Sequence, residues 1–342
     1  LPNGNFSPVI YSKQVQLAFR KASVVGAVTN SDYFGEIANM GDSVKIIKEP
    51  EITVKAYARG TTIQPQDLDD EDFSLTIDKA NYFAFKVDDI EEAHSHVNFQ
   101  DLASDRAAYR LADQFDQDVL GYLSGFKQSA LHGASDTVNA TVNGSVAVST
   151  AATNELLATM LVDANDFNGG TAGNSIVAVP RAGGDGLNTT TAKASPLSII
   201  ARMSRKLDQQ NVDTSGRWLV IDPVFAELLQ DEDSRLMNAD FGGAGLQNGL
   251  ILNNVHGFKV YMSNNLPAVG NGATGATATG STHYGVIVGG HSSAVATADS
   301  INKTETYRDP DSFADIVRGM HMYGRKILRP EALSRAYYVS GY

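Results

Sequence analysis

Few side chains in this sequence stand at the spacings that chemistry requires. GNGATG at 270–275 fits G-x-G-x-x-G, the pattern in which amides at a helix start cradle a pyrophosphate. That use needs a strand before it and a helix directly after. Here Pro267 precedes, and ATATGSTHYGVIV follows and ends in a strand, so a surface loop is expected. His94 and His96 would share one face of a strand beside Glu91 and Glu92, a possible start for a metal site. No third partner is in view, and both read as exposed polar residues. DLDDED at 67–72 lacks the central glycine and closing glutamate of a calcium loop and reads as a solvated tip.

The chain has no cysteine, which removes disulfides, thiolate zinc sites and a cysteine nucleophile. It also has no G-x-S-x-G elbow, no G-x-x-x-x-G-K-[ST] loop and no H-E-x-x-H pair. The expected sets of catalytic, cofactor-binding and metal-ligating residues are therefore all empty. Twenty-seven basic against 39 acidic residues leave a net charge of −12, a field that repels phosphate. A dedicated nucleic-acid reader carries the opposite balance. No apolar run reaches the ~18–20 residues of a membrane span, so no membrane partner is expected. The opening LPNGNFSPVIYSKQ has neither the cationic start nor the apolar core of a signal peptide.

With no site to position, the elements themselves carry the reading. At 342 residues the chain calls for more than one module. Residues 1–43 are irregular and punctuated by Gly4, Pro8, Gly35 and Gly41, with room for a short helix near Val15–Lys21. Residues 44–87 alternate like a long two-stranded ribbon. Ile52, Val54, Ala56 and Ala58 oppose Thr53, Lys55, Tyr57 and Arg59 on the way out, and FSLTIDKANYFAFKV runs back. A ribbon of that length is marginal alone and should lie on a neighbouring subunit. Residues 99–126 predict a helix of about seven turns. Leu102, Tyr109, Ala112, Phe115, Val119 and Leu123 share its apolar stripe, with Asp101, Asp105, Asp113, Gln114 and Gln117 off it.

Further on, Thr153–Asn165 reads as a helix with Leu156, Leu157, Met160 and Leu161 inward. NSIVAVPR reads as a strand, and SPLSIIARMSRKLDQQNV as a helix with Pro196 in its first turn. In GRWLVIDPVFAELLQ a strand turns straight into a helix capped by Asp222, with Trp218 in the core. HGFKVYMSNNLP alternates Phe258, Val260 and Met262 with Lys259, Tyr261 and Ser263, a half-buried strand. From residue 300 onward, strands broken at Asp309-Pro310, Gly319, Gly324 and Pro330 are expected, the last returning to an earlier sheet.

GRWLVIDPVFAELLQDEDSRL, GLILNNVHGFKVYMSNNLP and HYGVIVGGHSSAVATA resemble the central segments of one large family of tailed-phage coat proteins. YGRKILRPEALSRA resembles its closing segment. The chain is thus similar to major capsid proteins of the Hong Kong 97-like fold, an α+β class with N-arm, E-loop β-hairpin, long spine helix, peripheral domain and axial α/β domain. The resemblance implies an N-arm at 1–43, an E-loop at 44–87, a peripheral domain with the spine helix at 88–135 and an axial domain at 136–298. A peripheral return at 299–330 and a C-terminal strand at 331–342 complete it. It implies a non-enzymatic homo-oligomer, hexamers and pentamers in an icosahedral virion capsid around double-stranded DNA, assembled in the host bacterial cytoplasm with scaffolding and portal proteins. DNA would be enclosed without sequence-specific binding. Expected inter-subunit contacts are Lys55, Tyr57, Arg59, Asp69, Asp70, Glu71 and Asp72 on the E-loop and Phe6, Tyr11 and Phe19 on the N-arm. Candidate hinges are Gly41, Gly60, Gly125 and Gly133. The alternatives are an encapsulin-type bacterial nanocompartment shell and, third, an α/β enzyme.

Overall fold

The structure, a computed structural model, describes residues 23–31, 43–47, 52–60, 62, 65–66, 72–88, 99–125, 156–167, 176–180, 193–230, 254–270 and 282–341. In chain order these hold α1 (Val25–Val28), β1 (Ser43–Ile47), β2 (Asp72–Thr76), β3 (Lys79–Asp88), α2 (Phe99–Ser124), β4 (Leu161–Val162) and β5 (Ile176–Val179). Next come α3 (Pro196–Gln209), β6 (Arg217–Ile221), α4 (Pro223–Gln230), β7 (Asn254–Val255), β8 (Phe258–Met262) and β9 (Val269–Gly270). Three long strands, β10 (Thr282–His291), β11 (Val295–Arg308) and β12 (Ala314–Ile327), precede β13 (Leu333–Gly341). No helix among them is long and apolar enough to cross a membrane.

An eight-stranded mixed sheet orders β4-β13-β10-β6-β8-β7, with β5 also on β13 and β9 on β10. Every residue of β5 and β6 is buried, as expected of strands covered on both faces. Trp218 and Val220 face Val119, Leu120 and Leu123 of α2, while Leu219 and Ile221 face Ile199, Met203 and Phe225 of α3 and α4. Both covering helices begin as the sequence predicts. Ser195 accepts from the Ser198 amide ahead of Pro196, and Asp222 accepts from the Phe225 amide at 3.2 Å ahead of Pro223.

A second sheet of three strands runs β11-β12-β3. The chain passes to it through Ser292–Ala294, and Val295 already pairs with Ile327. It returns through the turn Pro330–Ala332, and β13 then pairs antiparallel with β10 and parallel with β4 and β5. α2 is therefore wedged between the two sheets.

Four expectations are corrected. Residues 44–87 do not form one ribbon: β1 pairs β2, while β3 joins β12 from Lys79↔Tyr323 to Asp88↔Ala314. Both halves alternate alike, so periodicity cannot tell which partner each takes. Residues 156–167 form no α-helix. They make turns at Ala158–Met160 and Ala164–Asp166 around β4, fixed by a reciprocal Asp163–Asp166 cap and by Ser334 Oγ donating to the Met160 carbonyl at 3.1 Å. Pairing with β13 overrides the helix-like spacing. β12 runs unbroken through Gly319 and Gly324. Met262 is 56% exposed, and Ser263 is buried in its place, its amide donating to the Ile221 carbonyl.

Candidate functional site

The surfaces that can meet another molecule begin at the hairpin β1–β2. Leu75 and Ile77, with Val44 and Ile46 beside them, pack on Ala296, Ala298 and Met322 of the three-stranded sheet. Gly324 permits this approach: a Cβ there would lie 2.3 Å from the Thr76 carbonyl oxygen. Beyond the hairpin, residues 52–60 belong to no helix or ladder, and each is exposed. Val54 is 94% and Ile52 69% exposed, an arrangement that costs hydrophobic free energy unless something covers it. The Thr53 amide donates to Gln66 Oε1 at 3.0 Å, and Gly60 takes φ +94°, a turn that favours glycine.

Lys55, Tyr57 and Arg59 all sit on this exposed run. Asp72 opens β2. Asp69, Asp70, Glu71, Phe6, Tyr11, Phe19, Gly41 and Gly133 lie outside the described residues. So do His94, His96 and most of GNGATG, although Gly270 pairs with His283. Gly125 has φ +73° and ends α2, but it is packed: a Cβ would meet Leu156 Cδ1 and Tyr337 Oη at 3.1 Å each.

A second exposed surface lies on the three-stranded sheet. A groove of about 530 Å³ is lined there by Tyr82, Phe83, Tyr307, Arg318 and Met320, among others. Tyr82 is 80% exposed, and Phe313, at the β11–β12 tip, 79%. Arg318 lies over the Tyr307 ring and donates to Glu305 Oε2 at 2.8 and 3.2 Å. The tip itself is clamped by Asp309, whose carboxylate accepts from Ser312 Oγ at 2.6 Å, Lys86 Nζ at 2.9 Å and the Asp311 amide at 3.1 Å. Those donors, Ser312 first, hold its pKa down to about 2.

The scaffold under these surfaces is held by buried carboxylates on α2. Asp113, expected off the apolar stripe and hence in solvent, is buried, as are Asp116 and Asp118, while Ala112 is exposed. Arg110 Nη1 and Gln117 Nε2, on the same helix, each donate to Asp113 Oδ2 at 3.2 Å. Arg325 pairs with Asp118 at 2.7 Å, lies over the Tyr122 ring and donates to the Asp118 carbonyl. Tyr323 donates to Asp118 at 3.0 Å, and burial followed by the Asp118 charge pushes its pKa well above the usual phenol range. Tyr337 donates to the Ser124 carbonyl at 2.7 Å, tying the end of α2 to β13.

Asp222, His283 and Tyr338 also converge, with His283 Nε2 and the Tyr338 hydroxyl 2.9 and 2.6 Å from Asp222 Oδ2. All three are buried, so this acid–imidazole–phenol set meets no solvent-borne substrate and instead secures the α4 cap. Spacing in the sequence could not bring together residues so far apart. Among the described residues no group of three acids or histidines could hold a metal ion.

The described residues thus form an α+β body with an exposed run at 52–60 and an open aromatic face on the three-stranded sheet. A family model described as phage capsid protein matches residues 70–336, and the chain belongs to that family. Solved structures agree in fold. The chain from Mycobacterium phage Che8 is 24% identical, with 98% of each chain covered and a TM-score of 0.67. The capsid structure of Cyanophage P-SCSP1u is 20% identical over 97% of this chain and 93% of that one, with a TM-score of 0.65. The mature capsid of bacteriophage PhiM1 is 15% identical over 96% and 91%, with a TM-score of 0.62. No curated protein sequence matches the chain.

Proposed function

We propose that this chain is the major capsid protein of a tailed phage, copies of which close into an icosahedral shell of hexamers and pentamers around double-stranded DNA. The observation that carries it is the exposed finger at 52–60, which leaves Ile52, Val54 and Tyr57 uncovered in the single chain. In a shell that finger, the E-loop, lies on an adjacent copy through Lys55, Tyr57 and Arg59, with Asp69, Asp70, Glu71 and Asp72 at its tip. Residues 1–43 act as the N-arm and α2 as the spine helix. Each contact is weak, but many form at once and avidity multiplies them.

The net charge of −12 suits a container whose contents must not be gripped. Scaffolding and portal proteins are the expected assembly partners, and the host bacterial cytoplasm the site of assembly. The encapsulin-type reading is less favoured, because the matching family is one of phage capsid proteins.

Electron microscopy of the purified chain, alone and co-expressed with a scaffolding protein, tests the proposal. Closed icosahedral shells are expected. A chain that stays monomeric at high concentration, with residues 52–60 protected from protease in that monomer, would overturn it.

A further inference from the structure

One buried carboxylate on α2 gathers donors from two distant segments. Asp116 is fully buried. Its Oδ1 accepts from Ser23 Oγ at 2.8 Å and from the Val24 and Val25 amides at 3.0 Å each. Its Oδ2 accepts from Asn265 Nδ2 at 3.0 Å. The Asn265 side is fixed in turn: the Asn265 amide donates to Ser263 Oγ at 3.1 Å, and the Ser263 amide to the Ile221 carbonyl at 3.0 Å. A run of bonds therefore links the end of β6, the segment after β8, the long helix and residues 23–25.

α1 is a single turn of four residues and cannot hold itself, since so short a helix does not recover its nucleation cost. Val25 and Val28 are fully buried, but apolar contacts alone set no register. Hydrogen bonds to a fixed carboxylate do. At the far end Asn30 bridges the edge of β11, donating to the Val295 carbonyl at 2.8 Å and accepting from the Thr297 amide at 3.0 Å. Thr29 Oγ1 lies 2.9 Å from Thr297 Oγ1.

We propose that Asp116 is a positioning residue: it fixes the register of residues 23–25 on the body and couples it to the loop at 263–265. Two acceptor oxygens are needed, three donors falling on one and the fourth on the other. An asparagine offers only one acceptor, and its NH₂ would oppose the Asn265 NH₂. The part this plays in shell building rests on the capsid reading. The tether itself does not.

The test compares D116N, the double variant D116N/N265D and A112S, which alters an exposed position on the same helix without touching the carboxylate. Amide hydrogen exchange at Val24 and Val25 and the yield of closed shells are the readouts. D116N should raise exchange at the two amides by at least about tenfold, one lost charge-assisted bond being enough. It should also lower the shell yield. The double variant places a carboxylate opposite the new NH₂ and should recover both, whereas A112S should leave the exchange unchanged.

Should D116N fail to fold, N265A provides the same readout, because freeing Oδ2 lets the carboxylate turn and should raise exchange at amides that Asn265 never touches. Unchanged exchange in D116N or N265A, or no recovery in the double variant, overturns the proposal. If the wild-type chain builds no shells, the capsid reading falls while the exchange measurements still decide the role of Asp116.

Discussion

At Gly319, Gly324 and Gly285 a single missing methyl group decides what may approach. Side chains there would lie 2.4 Å from the Phe83 ring, 2.3 Å from the Thr76 carbonyl oxygen and 2.5 Å from the Tyr338 ring. A sequence read alone takes Gly319 and Gly324 for strand breaks, because the atoms that need the space belong to segments far away in the chain. The obstacles differ in kind, and so do the expected costs. The Phe83 ring can swing aside, so Gly319→Ala should cost about 1 kcal/mol, whereas the Thr76 backbone cannot, so Gly324→Ala should cost about 3 kcal/mol or more. Urea unfolding of the soluble subunit separates the two, and equal costs would contradict the assignment. Asp309 gives a second test at this scale. Its folded pKa, about 2, lies below the ordinary 3.8, so its contribution is complete above pH 4 and disappears as the pH falls towards 2. Hydrogen exchange across residues 309–313 should stay flat down to about pH 4 once corrected for intrinsic rates, and rise below it.

At the scale of elements, what was legible was whatever one segment decides for itself. The strands at Arg217–Ile221 and Phe258–Met262 and the helices begun by Ser195-Pro196 and Asp222-Pro223 follow from alternation and capping within a few residues. What was not legible depended on partners. The turns at 158–166 exist because β4 pairs with β13, and β3 left the ribbon because β12 takes its edge. Asp118 and Asp116 of α2 are buried where β12 and residues 23–25 bring donors to them. No periodicity encodes that, since an acid facing solvent and an acid facing Arg325 look the same. The Asp118–Arg325 pair lets this coupling be measured. Arg325→Met leaves a buried carboxylate with its cation gone and should cost about 3–5 kcal/mol, while Asp118→Asn with Arg325→Met should cost clearly less, since no charge is stranded. Thermal melts of the two variants decide it, and a double variant worse than the single one would show that the pair itself holds the sheet to the helix.

At the scale of the molecule, exposed large apolar side chains among the described residues fall mainly in two places, the finger at 52–60 and the open face and tip of the three-stranded sheet. The body has no need of the finger. Its base is anchored by Leu75, Ile77, Val44 and Ile46, whereas the described residues beyond that base make no core contact. Removing residues 52–71, which carry Ile52, Val54 and Tyr57 but spare β2, and closing the gap with a short glycine-rich turn should therefore leave the eight-stranded sheet, α2 and the rest of the core in place. Loop closure of that size changes stability by only about 1 kcal/mol. The subunit should stay soluble, melt close to the intact chain and keep its far-ultraviolet circular dichroism. What it should lose is the area that one copy lends another, and because many such contacts act together their removal is multiplied rather than added. The expected result is a folded subunit that forms no normal closed shells by electron microscopy, at concentrations where the intact chain does. Intact shells from the deletion would mean that closure is driven by the sheet face or the arm, and that the finger has another use.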